Sequence, residues 1–168
     1  MAFKKTSSEI QISSGLAETG PNTFTQLEVD LSLSPLDNEI FVVTAVDLDL
    51  DFPSPVAATN TLVKGSVSTT SQTSAQGINN SNILASGRTA IQAAGFVDGG
   101  VGFSQLGLTV PTGDVDYIGI IATNNFFIQV QGTANTAAKR VNCRVYGYRA
   151  RADASTYAAL VQSEVLSA

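Results

Sequence analysis

Along much of this chain apolar and polar residues change places at every second position. Thr25, Leu27, Val29, Leu31 and Leu33 alternate with Gln26, Glu28, Asp30 and Ser32. A period of two sends one set to each face of a strand, so residues 23–33 predict a half-buried strand. Ser34-Pro35-Leu36-Asp37-Asn38 reads as a turn. Pro presets φ there, and Asp and Asn bond their own backbone. Residues 39–52 predict a longer strand. Ile40, Phe41, Val42 and Val43 make its first half apolar on both faces, which suits a central position. From Val46 the alternation returns, with Leu48, Leu50 and Phe52 inward and Asp47, Asp49 and Asp51 outward. Pro53 and Pro55 end the strand, because proline cannot donate to a ladder.

Residues 61–70 are rich in β-branched side chains and predict a third strand. Residues 76–102 contain Asn79-Asn80-Ser81-Asn82 and a glycine-rich run from Gly95 to Gly102. They read as a long central loop, or as a loop interrupted by a short helix if 83–94 takes that form. Long loops in compact domains usually carry function, so a contact surface is expected there. Residues 116–123 and 126–131 predict a β-hairpin that turns at Asn124-Asn125. A polar loop over 132–138 leads to a last strand over 140–149. The period then changes to 3.6. Asp153 can cap a helix over 154–166 on which Tyr157, Leu160, Val161 and Val165 form one stripe. That stripe packs either on its own sheet or on a neighbouring subunit. About eight short strands, long polar loops and one C-terminal helix predict an all-β fold, a jelly roll or β-sandwich. The expectation is a single domain over 1–168, with an N-terminal arm at 1–15.

Composition narrows the chemistry. The 168 residues include no histidine, no tryptophan and one cysteine. Without histidine the usual general base and the commonest metal ligand are missing, and one cysteine cannot build a zinc site. Apolar residues make up 43% of the chain, enough for a sizeable core, while charged residues make up only 14%. A surface of hydroxyls and amides suits a chain that buries much of itself against copies or a partner. The formal charge of −5 opposes binding to phosphate backbones. Lys139, Arg140, Arg144, Arg149 and Arg151 cluster on the last strand and read as a solvated or interface stripe. Cys143 lies in the alternation Val141-x-Cys143-x-Val145 and reads as a small buried hydrophobe. No stretch approaches the roughly 20 apolar residues of a membrane span. Lys4-Lys5 is followed by no apolar run, so no signal peptide is expected and the chain reads as soluble and made in a cytoplasm.

Few constellations suggest a site. Asp47, Asp49 and Asp51 share one strand face. Calcium needs six to eight converging oxygens, usually from a wrapping loop, so this face reads first as a guard against edge pairing and second as an ion site. Asp114 and Asp116 lack a marked partner for glycosidase chemistry. The glycine-rich run lacks the Lys-Ser/Thr of a phosphate-binding loop. Tyr146 and Tyr148 share a strand face, as expected at a core edge or interface. No catalytic residues and no cofactor are expected.

The segment Tyr117-Ile-Gly-Ile-Ile-Ala-Thr-Asn-Asn-Phe-Phe-Ile-Gln-Val-Gln131, the closing strand Val141-Asn-Cys-Arg-Val-Tyr-Gly-Tyr-Arg149 and the Thr/Ser/Asn/Gly-rich middle resemble small coat proteins of the single jelly-roll type from viruses of microbes. The chain also resembles the jelly-roll cement proteins on tailed-phage heads. The resemblance implies a non-catalytic virion protein, made in the host cytoplasm, whose copies assemble into a shell. Partners would be copies of itself, another capsid protein, or an internal viral membrane. Coat proteins that package nucleic acid often carry a basic arm. Here there is only Lys4-Lys5, so direct genome contact is not expected. Contacts would fall on Phe3, Ile10 and Ile12 in the N-terminal segment, on Ile83, Ile91 and Phe96 in the central stretch, and on Tyr157, Leu160 and Val161 of the helix. A glycan- or receptor-binding β-sandwich is the rival reading, and a hydrolase using Asp47, Asp49, Asp51 or Asp116 a more distant one.

Overall fold

The structure, a computed structural model, describes residues 2–95, 97, 101–105, 110 and 113–168. In chain order its elements are β1 (Phe3–Lys5), β2 (Ile10–Ala17), β3 (Thr25–Asp30), β4 (Glu39–Leu50), β5 (Thr61–Ser68), β6 (Ile83–Gln92), β7 (Val101–Gln105), β8 (Gly119–Ile121), β9 (Asn125–Thr133), β10 (Arg140–Ala152) and α1 (Ala154–Leu166). One sheet runs β1/β2–β10–β4–β8, with β1 and β2 sharing one side of β10. The other runs β3–β9–β5–β6–β7. All pairings are antiparallel. The chain passes back and forth between the sheets: β2 in the first, β3 in the second, β4 in the first, β5 and β6 in the second, β8 in the first, β9 in the second, β10 in the first. This is the jelly-roll wiring.

The alternating residues fill the space between the sheets. Phe41, Val43, Val46, Leu48 and Leu50 of β4 and Val141, Cys143 and Val145 of β10 meet Val63 and Val67 of β5 and Phe126, Ile128 and Val130 of β9. Gly65 sits where the layers come close. A Cβ there would lie 2.6 Å from a Leu50 methyl carbon and 3.1 Å from one of Val141. A second, smaller cluster lies on the outer face of the first sheet. Ile40, Val42, Ala150 and Ala152 are buried there with Ala122, and Phe3, Tyr117, Tyr157, Leu160 and Val161 pack over them. This is why β4 begins apolar on both faces: its first half is covered on one side by the sandwich and on the other by α1.

The helix lies over the residues expected and packs on its own sheet. Four other expectations change. The predicted hairpin does not form: β8 pairs with β4, whereas β9 pairs with β3 and β5 in the opposite sheet. Asn124 marks the crossing, its carbonyl accepting from Leu31 N at 2.8 Å. A local turn signal does not say which strands pair. Residues 83–92 are strand rather than helix, so the middle of the expected central loop is sheet. β6 has ladders on both sides, and these outweigh the helix preference of its alanines. Within the expected arm at 1–15, β1 and the first part of β2 are strand and are zipped to β10. Phe52 is 79% exposed rather than inward, because β4 stops at Leu50 and the chain leaves the sheet.

Candidate assembly surfaces

Jelly-roll sheets are open, so each ends in strands with one unpaired side. The chain treats its edges differently. β8 is only three residues long. β3 carries Glu28 and Asp30, and charge on an edge opposes pairing with another chain. β1 carries Lys4 and Lys5. By contrast β2, Ile-Gln-Ile-Ser-Ser-Gly-Leu-Ala, and β7, Val-Gly-Phe-Ser-Gln, hold no charge and no proline. Among the described strands β2 pairs only with β10 and β7 only with β6. Ile10 at the head of β2 is 38% exposed, and Phe103 on β7 is 59% exposed with Val101 beside it. Among the described residues, two uncharged edges therefore stand on different sheets.

The expected contact residues divide into groups. Ile10 lies on the free edge, opposite Gly147, while Ile12 opposes Val145 and packs on the main core. Ile83 is buried at the start of β6. Ile91 is half-buried, opposite Thr61 and Gly102. Phe96 lies outside the described residues. Phe3, Tyr157, Leu160 and Val161 come together over the second cluster, where Phe3 meets Tyr117 edge-on with ring centroids 6.0 Å apart. Val101 and Phe103 were missed. They sit in a glycine-containing segment that weakens the alternation, so only pairing with β6 reveals it as sheet.

The helix is held by polar contacts as well as by its apolar side. Asp153 accepts from Thr156 N at 2.8 Å, and that backbone bond, with the Ser155 hydroxyl, holds its carboxyl below the usual range. At the other end Glu164 is buried and accepts from Ala122 N at 2.9 Å, Thr123 N at 3.1 Å and the Thr123 hydroxyl at 3.0 Å. Burial still pushes its carboxyl above the ordinary glutamate value, against the pull of those bonds. The Ser167 hydroxyl donates to Asn82 Oδ1 at 2.8 Å, tying the helix end to the start of β6.

The charged strand faces are matched to each other. Asp47 stands opposite Arg144 and Asp49 opposite Asn142, whose amide reaches the Asp49 carboxylate at 3.3 Å. Asp51 accepts from Arg140 N at 2.9 Å. The three carboxylates thus spread along β10, and among the described residues no group of three or more metal-ligating side chains converges. Arg149 pairs with Glu39 at 3.1 Å and donates to the carbonyls of Leu31 and Ser32, and Arg151 pairs with Asp37 at 3.0 Å. Two of the five residues of the basic stripe therefore pin the turn between β3 and β4. Asp114 and Asp116 are exposed. Cys143 is buried, and burial, helped by the charge of Asp47, pushes its thiol up to about 12. At neutral pH it holds almost no thiolate and is inert.

No family model and no curated protein matches the sequence. Solved structures do match the fold. The VP1 capsid protein of KI polyomavirus, solved as an unassembled pentamer, superposes with a TM-score of 0.51 at 8% identity, over 77% of this chain and 74% of that one. VP1 of Merkel cell polyomavirus, solved with 3'-sialyllactosamine, superposes with a TM-score of 0.50 at 10% identity, over 88% of this chain and 96% of that one. The chain shares the jelly-roll fold of viral coat proteins. At these identities the likeness is one of fold.

Proposed function

We propose that this chain is a non-catalytic structural subunit of a virus particle, and that its copies associate through the uncharged edges β2 and β7. The observation that carries the reading is the pairing of a jelly roll with two uncharged edges, among the described residues, on different sheets. Natural β proteins blunt free edges with charge, proline or cover. An edge left bare on a soluble domain is suited to a partner. Edges that differ make a head-to-tail contact, and such contacts close into rings when the rotation allows. The polyomavirus protein of similar fold was solved as a pentamer, which supports a ring. The acidic balance favours protein neighbours over direct contact with a genome. Ile10, Val101 and Phe103 supply the apolar part of the contact. Among the residues singled out from sequence, Ile10 serves this role best.

Light scattering of the purified protein across a concentration series, with negative-stain images of the same fraction, tests the reading. Rings, shells or a defined oligomer are expected. A monodisperse monomer at every concentration overturns self-assembly and favours a decoration protein or a binding module.

A further inference from the structure

The helix α1 is uncharged on the side that faces away from the sheet. Among its 13 residues the single charge is Glu164, whose buried carboxylate accepts from Ala122 and Thr123. Tyr157, Leu160 and Val161 pack on the sheet. Ser155, Ala158, Ala159, Gln162, Val165 and Leu166 recur at spacings of three and four on the opposite side, and all are exposed. Val165 is 59% exposed and Leu166 75%. A surface helix ordinarily turns charge towards water, whereas a helix apolar all round is covered all round. Leu36, Phe52 and Val115 are exposed as well, but each has an aspartate next to it in the chain.

The outer face of α1 is graded in size. Ser155, Ala158 and Ala159 make its N-terminal half small, and Gln162, Val165 and Leu166 make its C-terminal half large. Two such faces laid in the same direction would set bulk against bulk and leave gaps at the small ends. Turned end for end, the large half of each rests on the small half of the other, and the side chains fill the space between. A twofold axis near the middle of the helix achieves this with one surface, as an isologous contact requires. No charge loses water there, in keeping with the scarcity of charged residues at interface cores. The open part of the first sheet, by contrast, carries exposed Asp47, Asp49, Arg140 and Arg144, which would be desolvated against an apolar helix. The face is also held in shape before contact. Asp153 caps one end of α1, and Glu164 and Ser167 fasten the other.

We infer that α1 packs antiparallel on α1 of a second copy of this chain, across a twofold axis. Ser155 then meets Val165 and Leu166 of the other copy, and Ala158 meets its Gln162. The two Gln162 amides flank the axis, where each gives the other a hydrogen-bonding partner. The helix is about 20 Å long. One face of it falls well short of the roughly 1,000 Å² of a stable interface, so free copies pair through it only near millimolar concentration. Within an assembly, neighbours held by other contacts already meet at such effective concentrations. That wider role rests on the subunit reading above; the pairing itself does not.

The test starts from the variant Gln11→Lys with Val101→Lys, in which the edges are blocked. Amide NMR of this protein from micromolar to millimolar concentration is expected to show saturable shifts within residues 155–166. Leu166→Lys on the same background, with an unchanged circular dichroism spectrum, is expected to weaken the pairing about ten-fold or more, because it seats two ammonium groups in an apolar contact. A second readout is covalent. The chain has one cysteine, Cys143, which is buried and inert, so an introduced thiol is the only reactive one. Ala158→Cys and Gln162→Cys proteins, mixed and oxidised, are expected to give the mixed disulfide well beyond its statistical share. This readout does not depend on particle size, so it stands whether or not the edge contacts hold. Absence of shifts in α1 up to millimolar concentration, equal shifts in Leu166→Lys, or disulfides in statistical or self-paired proportion overturns the inference.

Discussion

Gly147 has little freedom to change. It lies on β10 beside a bulge: Tyr146 opposes Ala45 but Gly147 opposes Val43, so Thr44 is the extra residue. The Thr44 hydroxyl donates to the Glu9 carboxylate. A Cβ at Gly147 would collide with the Val42 carbonyl oxygen and lie 2.7 Å from the Phe41 ring. The backbone oxygen cannot swing away as a side chain would. Gly147→Ala is therefore expected to cost about 2–3 kcal/mol, the upper range for overpacking a core. Thermal unfolding would show a fall of about 5–10 °C for a domain of this size. An unchanged melting temperature would mean that the bulge relaxes freely. The sequence offered no sign of this constraint, because a glycine in an alternating strand looks the same whether it is needed or merely tolerated.

At the scale of elements, α1 is a lid over one face of the first sheet, and Glu164 is its bolt. Glu164→Ala leaves two backbone N–H groups without their acceptor and is expected to cost about 2 kcal/mol, seen as faster hydrogen exchange in α1 and β8. The pH dependence has a definite sign. The folded-state carboxyl titrates above its unfolded value, so the folded protein holds the proton more tightly. That contribution is present in full below the ordinary glutamate value and is lost as pH rises through the raised one. Helix protection is thus expected to increase on acidification through that window, and Glu164→Gln should flatten the profile. A profile unchanged by that substitution would assign the effect to other groups. The helix was legible from Asp153 and the stripe at Tyr157, Leu160 and Val161. Its bolt was not, since a lone glutamate on a helix normally faces water. The same limit explains the hairpin: period two finds strands such as β4 and β10, but pairing is decided by contacts far apart in sequence.

For the whole molecule, the edges matter more than the faces. If β2 and β7 join copies, a lysine on each should block pairing as edge lysines do in natural sheets. Gln11 and Val101 are exposed, so Gln11→Lys with Val101→Lys leaves the core untouched. The double variant is expected to remain a folded monomer at concentrations where the wild type assembles, by light scattering and circular dichroism. Assembly by the variant equal to that of the wild type would move the contact elsewhere. Charged residues are few, so the wild-type association is expected to depend only weakly on salt. The fold class could be read from strand number and turns, whereas these edges could not, because an edge is defined by what does not pair with it.

The position of β10 has a consequence in time. It is the last strand of the chain, yet it lies between β1/β2 and β4 and carries the longest pairings of its sheet. Until residues 140–152 have been synthesised, β2 and β4 have no common partner and half of the sandwich cannot close. Folding of this sheet must wait for residues 140–152 and then join segments about a hundred residues apart, which places it among the slow, non-local topologies. A chain without β10 therefore cannot present β2 as a finished edge to a neighbour, and the making of β10 acts as the clock that separates building this sheet from joining it to another copy.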